Sequence, residues 1–197
     1  MPGGHAHGPS PVPGEVPAGA ASAAGAAPLG DALATLGALG IAPLTRPRVL
    51  AAARAWGEPI ELDGWYAAAW QLERDGRYRR RGEREIEWLE PASAADAPPA
   101  IPPARVLATL ATELERIHDV AGLLALAQAA TDARLAPVAE QAARAATRLD
   151  PKDVEASLTL ARLLAARGEL SAAAAEGRRA VRLAPEHVEA HVLLANC

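Results

Sequence analysis

Phenylalanine is absent from this chain, cysteine and lysine each occur once (Cys197, Lys152), and aromatic residues make up 3% of its 197 positions. With so few rings, a large aromatic core is excluded. A single cysteine at the last position excludes a disulfide scaffold. No run approaches the ~18 strongly apolar residues needed to cross a bilayer, so no membrane partner is expected. The formal net charge of −4 excludes a polycation drawn as a whole to nucleic acid. Missing too are a glycine-rich phosphate loop, zinc-ligand spacing, a nucleophile elbow and any paired His or Cys set for catalysis. The chain therefore reads as non-catalytic and without a cofactor. His187 and His191 stand at i,i+4, but no third ligand lies nearby in sequence, and they read as solvated.

What the sequence does have is alanine, 51 residues or about a quarter of the chain, together with Arg, Gly and Pro. Alanine favours helices that approach one another closely, so the fold class read here is all-α. Residues 1–29 are almost all Gly, Pro, Ala, Ser and His, with little large apolar surface to set against the entropy of ordering them. They read as a disordered arm, on which His5 and His7 are solvated. With no Lys or Arg near the start and an Ala run broken by Pro and Gly, the arm does not read as a secretion signal, and a cytoplasmic location is expected.

Residues 30–90 form a second region. Leu33, Leu36 and Leu39 mark a short helix, and Pro47 sits at the first turn of another that runs to about Trp56. All six aromatics, Trp56, Trp65, Tyr66, Trp70, Tyr78 and Trp88, fall in this region. Residues 91–103 carry five prolines and read as a linker. From 104 to 197 the pattern is helical, with stops near His118–Asp119, Ala133–Pro137, Asp150–Pro151, Gly168 and Pro185. Ser171 is the expected N-cap of the helix after Gly168.

Pro151 and Pro185 stand 34 positions apart, and at that offset Val154 falls on Val188, Glu155 on Glu189 and Leu149 on Leu183. Leu126, Leu160 and Leu194 form a triple, as do Ala127, Ala161 and Ala195. This period, with Gly168 at the turn, Ala173 and Ala180 at small positions and Pro185 closing, resembles the tetratricopeptide repeat over about residues 120–197. Two repeats would be followed by a third that begins at Val188 and lacks its second helix. The first departs at its turn, where Arg134 replaces glycine. Val192, Leu193 and Leu194 would then be uncovered, which reads as truncation of a longer array or as an edge that self-associates.

The resemblance implies a helical-hairpin solenoid whose first helices line a groove for a protein or peptide partner. By position the groove would be lined by Leu124, Gln128, Glu155, Leu158, Thr159, Arg162 and Leu193. Arg162 is the expected hydrogen-bonding anchor and Leu124, Leu158 and Leu193 the apolar contacts. The family members that clamp acidic chaperone C-termini use Lys and Asn in such places, and this pattern does not match them. The function expected is thus a scaffold or adaptor.

Two readings compete for residues 61–90. In one, Trp65, Ala68, Ala69, Leu72, Gly76 and Tyr78 resemble a divergent tetratricopeptide hairpin at about 61–91. Its second helix would carry a stripe of Tyr78, Gly82, Ile86 and Leu89, with Arg79–Glu83 and Arg81–Glu85 as i,i+4 ion pairs. In the other, about 44–90 resembles a winged helix-turn-helix: a helix at 47–56, a recognition helix at about 62–75, and a wing at 77–89 turning at Gly82. Arg77, Arg79, Arg80, Arg81 and Arg84 would then meet phosphates, making the chain a DNA-binding regulator with sensing or dimerising repeats. Residues 71–90 hold six acidic groups and six arginines, which weakens that field.

Overall fold

The computed structural model describes residues 26–57, 78–81, 85–88 and 102–197. Among them eight helices dominate, and no helix is long and apolar enough to cross a membrane. Helix α1 spans Ala26–Ala38, strand β1 Leu44–Thr45, helix α2 Arg46–Trp56, strand β2 Tyr78–Arg81 and strand β3 Glu85–Trp88. Six helices follow: α3 (Ala104–Arg116), α4 (Val120–Asp132), α5 (Ala136–Leu149), α6 (Val154–Ala166), α7 (Leu170–Leu183) and α8 (Val188–Ala195). The all-α class and repeat-like packing of helical hairpins follow the expectation. Helix α1 begins at Ala26, a turn before the expected boundary of the arm, and residues 1–25 lie outside the described residues.

The 34-residue offset is visible as structure. Helices α4 and α5 pack as one close pair, α6 and α7 as the next, and α8 lies against α7. The turn inside each complete pair uses a left-handed residue at matching places: Arg134 at φ 59° and Gly168 at φ 82°. In both, the amide three residues beyond the helix reaches back, Leu135 to the Ala130 carbonyl and Glu169 to the Leu164 carbonyl, each across five positions. This is the Schellman closure, and it explains why glycine suits position 168. It also corrects the expected cap. Because the left-handed residue is Gly168, α7 starts at Leu170 after Glu169, with no side-chain cap and with Ser171 inside the helix.

Alanine makes the close approach possible. Helix α5 buries Ala139, Ala142, Ala143, Ala145 and Ala146, all 1% exposed or less, and packs against α3, α4 and α6 together. Leu107, Leu110, Leu114, Leu123 and Leu126, all fully buried, supply the volume between these thin helices. One core cluster runs from Leu33 and Leu36 of α1 through Val49 of α2 to Leu164 of α6 and Ala173 of α7. A small second cluster, Leu158, Ala180 and Ala190, joins α8 to the end of the array.

The reading of 61–91 as a helical hairpin is overturned where the chain is described. Residues 78–81 and 85–88 are strands paired antiparallel, with Tyr78 opposite Trp88, Arg79 opposite Glu87, Arg80 opposite Ile86 and Arg81 opposite Glu85. Leu44 and Thr45 add a third strand on the other side of β3, so the strand order is β1-β3-β2. The helical stripe from Tyr78 is therefore replaced by a strand pair. The expected recognition helix at about 62–75, together with Arg77 and Arg84, lies outside the described residues.

Candidate partner face and strand-hairpin module

The face formed by α4, α6 and α8, the first helices of successive pairs, carries the residues expected to meet a partner. Gln128, Glu155 and Arg162 are exposed, while Leu124, Thr159 and Leu193 are half-buried. Leu158 is fully buried in the cluster with Ala180 and Ala190, so it is a core residue and not a contact. Its cover comes from α8, the next helix in the series. Val192, at the matching position of α8, is 53% exposed.

Arg162 is also placed differently from expectation. Its Nη2 donates to Glu155 Oε1 at 2.5 Å and its Nη1 to Glu189 Oε1 at 2.9 Å, linking α6 to α8. The guanidinium is thus already committed, and the groups it leaves partly free are the carboxylates, with side chains 54% and 48% exposed. Across the face, Gln128 donates to Asp132 Oδ1 at 3.0 Å. The face offers acceptors and apolar surface to a partner and no free cation from Arg162.

Two polar networks are closed by contacts between residues far apart in the chain, Arg48 with Asp119 and Glu140 with Arg167, which no local pattern signals. Arg48 of α2 donates Nε to Asp119 Oδ2 at 2.5 Å and Nη2 to Asp119 Oδ1 at 2.8 Å, with both side chains nearly buried. Its Nη1 donates to the carbonyls of Ala42 and Pro43 at 2.6 and 3.0 Å. Asp119 accepts in addition from the Gly122 amide at 2.9 Å, capping α4. One carboxylate therefore caps the first repeat helix and anchors α2. Sequence offered a hint only for the cap: an aspartate just before an apolar helix.

The second network surrounds Glu140 of α5. It accepts from Arg144, one turn on, and from Arg167 at the end of α6. Burial pushes the Glu140 carboxyl up, but the hydrogen bonds and charges of Arg144 and Arg167 together hold it below the usual carboxylate range. Glu140 in turn raises Arg167, first through the hydrogen bond and then through its charge. Pro137, Glu140, Gln141, Arg144, Arg148 and Arg167 line an open depression of about 380 Å³ here. Arg148 is held by Glu115 at 2.9 Å, so each arginine of the depression has a carboxylate partner.

Register places the arginines of the strand pair as well. The pairing sets Arg79 against Glu87, Arg80 against Ile86 and Arg81 against Glu85 along the two strands. Among the described residues, no group of three His, Cys, Asp or Glu is placed to hold a metal. The chain matches no protein-family model and no curated protein.

Proposed function

We propose that this protein is a DNA-binding regulator in which a winged-helix module contacts duplex DNA and the helical-hairpin array holds a protein or peptide partner. The observation that carries this reading is the order helix, strand, helix, strand pair with the sheet arranged β1-β3-β2. That order supports a wing beside a helix-turn-helix whose second helix would fall at about 62–75, outside the described residues. With Arg79 and Arg81 opposed by glutamates and Arg80 by Ile86, the arginines proposed to meet phosphates are Arg77, Arg80 and Arg84. The array contributes the exposed carboxylates Glu155 and Glu189 and the apolar Val192, which suit a segment bearing a basic and an apolar side chain.

The test is a titration of the full chain with a labelled duplex at two salt concentrations. Binding that weakens steeply with salt, with a slope reduced by about 1 for each of Arg77→Ala, Arg80→Ala and Arg84→Ala, supports the module's role. No binding at low salt removes it.

A second reading, an adaptor with no nucleic-acid role, draws support from the register that sets Arg79 and Arg81 against Glu87 and Glu85. In that case a peptide library should yield binders whose affinity falls on Glu155→Lys and Glu189→Lys, with duplex binding absent throughout. A library without such binders removes the array's role in both readings.

A further inference from the structure

The large apolar side chains exposed among the described residues, Leu170, Leu183, Val188 and Val192, all lie on α7 and α8. Comparison along the repeat shows what leaves α8 open. Helices α4 and α6 each have a following helix as pair mate, and in them Ala127 and Ala161 are fully buried. At the matching place in α8, Ala195 is exposed. Val188 is 75% exposed where Val120 and Val154 are half-buried. Val188, Val192 and Ala195 stand at i, i+4 and i+7, so they share one face of the helix.

Charges of opposite sign stand at the two ends of this face. In α5, Arg144 is met by Glu140, which also takes Arg167 from the end of α6. In α7 the arginine recurs 34 positions on as Arg178, but Ala174 replaces the glutamate. Arg178 is exposed and, among the described residues, makes no ion pair. The same equivalence sets Arg178 beside the end of α8, as Arg144 lies beside the end of α6. At the start of α8 stands Glu186, also exposed and without an ion-pair partner among the described residues. A partner of one charge sign would satisfy one of these groups and oppose the other. A second copy turned by a two-fold axis satisfies both, because antiparallel packing brings the start of one α8 to the end of the other.

We propose that this face is the contact between two copies of this chain. Helix α8 lies antiparallel on α8 of the second copy, with Val192 near the axis, Val188 against the second Ala195, and Glu186 against the second Arg178. The small side chain at Ala195 admits the close approach that alanine gives inside the array. Val192 borders the face formed by α4, α6 and α8, so at that residue a second copy and a peptide segment exclude each other.

The experiment is sedimentation velocity on the full chain, with no DNA or peptide present, from about 1 to about 100 µM. One helix face per copy is smaller than a standard interface, so a dimer dissociating in the micromolar range is expected. Val192→Asp sets two charges at the axis and should leave a monomer. Arg178→Glu and Glu186→Arg should each weaken the dimer about tenfold, since each sets like charges together twice. An equal mixture of these two variants should recover the native affinity, because each then meets its opposite charge at both ends. All three substitutions fall on exposed side chains, and an unchanged helical circular dichroism spectrum checks that the fold is kept. A native chain that stays monomeric to the highest concentration leaves the face to another occupant and overturns the proposal. So does growth beyond a dimer, a dimer indifferent to Val192→Asp, or a mixture no tighter than its two components.

Discussion

The pair α4–α5 and the pair α6–α7 are built on one plan 34 residues apart, yet they are not held alike. Helix α5 touches α3, α4 and α6 and buries eight residues, whereas α7 touches α6 and α8 and buries four. Both pairs open on an aspartate cap, but Asp119 also holds a buried arginine from outside the array and Asp153 does not. A repeat in sequence therefore fixes the local geometry of each hairpin and leaves its stability to whatever lies on either side.

The sharpest way to break this comparison is to remove the same cap in both pairs. Asp119→Ala leaves Arg48 buried without its partner and should cost about 3–5 kcal/mol in urea unfolding. Asp153→Ala loses only a helix cap and should cost about 1 kcal/mol. Equal costs would mean that the Arg48 contact contributes nothing beyond the cap.

A gentler comparison exchanges small residues at another matching position, Ala143 in α5 and Gly177 in α7. A methyl added at Gly177 would lie 3.2 Å from Leu193 Cδ2, the far end of a half-buried side chain, and needs only a small shift of that end. Gly177→Ala should therefore raise stability by about 0.5–1 kcal/mol through helix propensity, read as a higher urea midpoint. A loss would show that Leu193 is fixed more firmly than its exposure suggests.

The smallest effect is expected at the hairpin turns. Arg134 holds the left-handed conformation that Gly168 adopts freely. Replacing it by glycine relieves about 1–2 kcal/mol of backbone strain, offset in part by the greater freedom glycine has when unfolded. The net gain for Arg134→Gly should be about 0.5 kcal/mol by thermal unfolding.

Helix ends were legible because prolines and glycines punctuate the chain, and the period of 34 was legible because Pro, Val, Glu and Leu recur together. Residues 78–88 were not, for a definite reason. Arg81 and Glu85 satisfy the i,i+4 spacing of a helix and also the directly opposed spacing of this strand pair, so charge patterning cannot separate the two. The partner face was half legible. Position along the repeat located Gln128, Glu155 and Arg162 on the surface, but Leu158 is covered by Ala190 and Arg162 is bound by Glu189, both from the next helix in the series. Arg48 and Asp119, 71 positions apart, lie beyond the reach of any local pattern.

The proline-rich stretch at 91–103 looks like a place to cut, but the elements on its two sides are not interchangeable parts. Helix α2, before it, packs on α3, after it, and Arg54 reaches Glu113 at 3.7 Å. A fragment beginning at residue 104 would bring α3 into water along the side that α2 covers and leave Asp119 facing solvent without its arginine. An array grafted elsewhere would need a substitute for α2, bearing a guanidinium at the place of Arg48. The head is thus less a passenger on the repeats than their first cap.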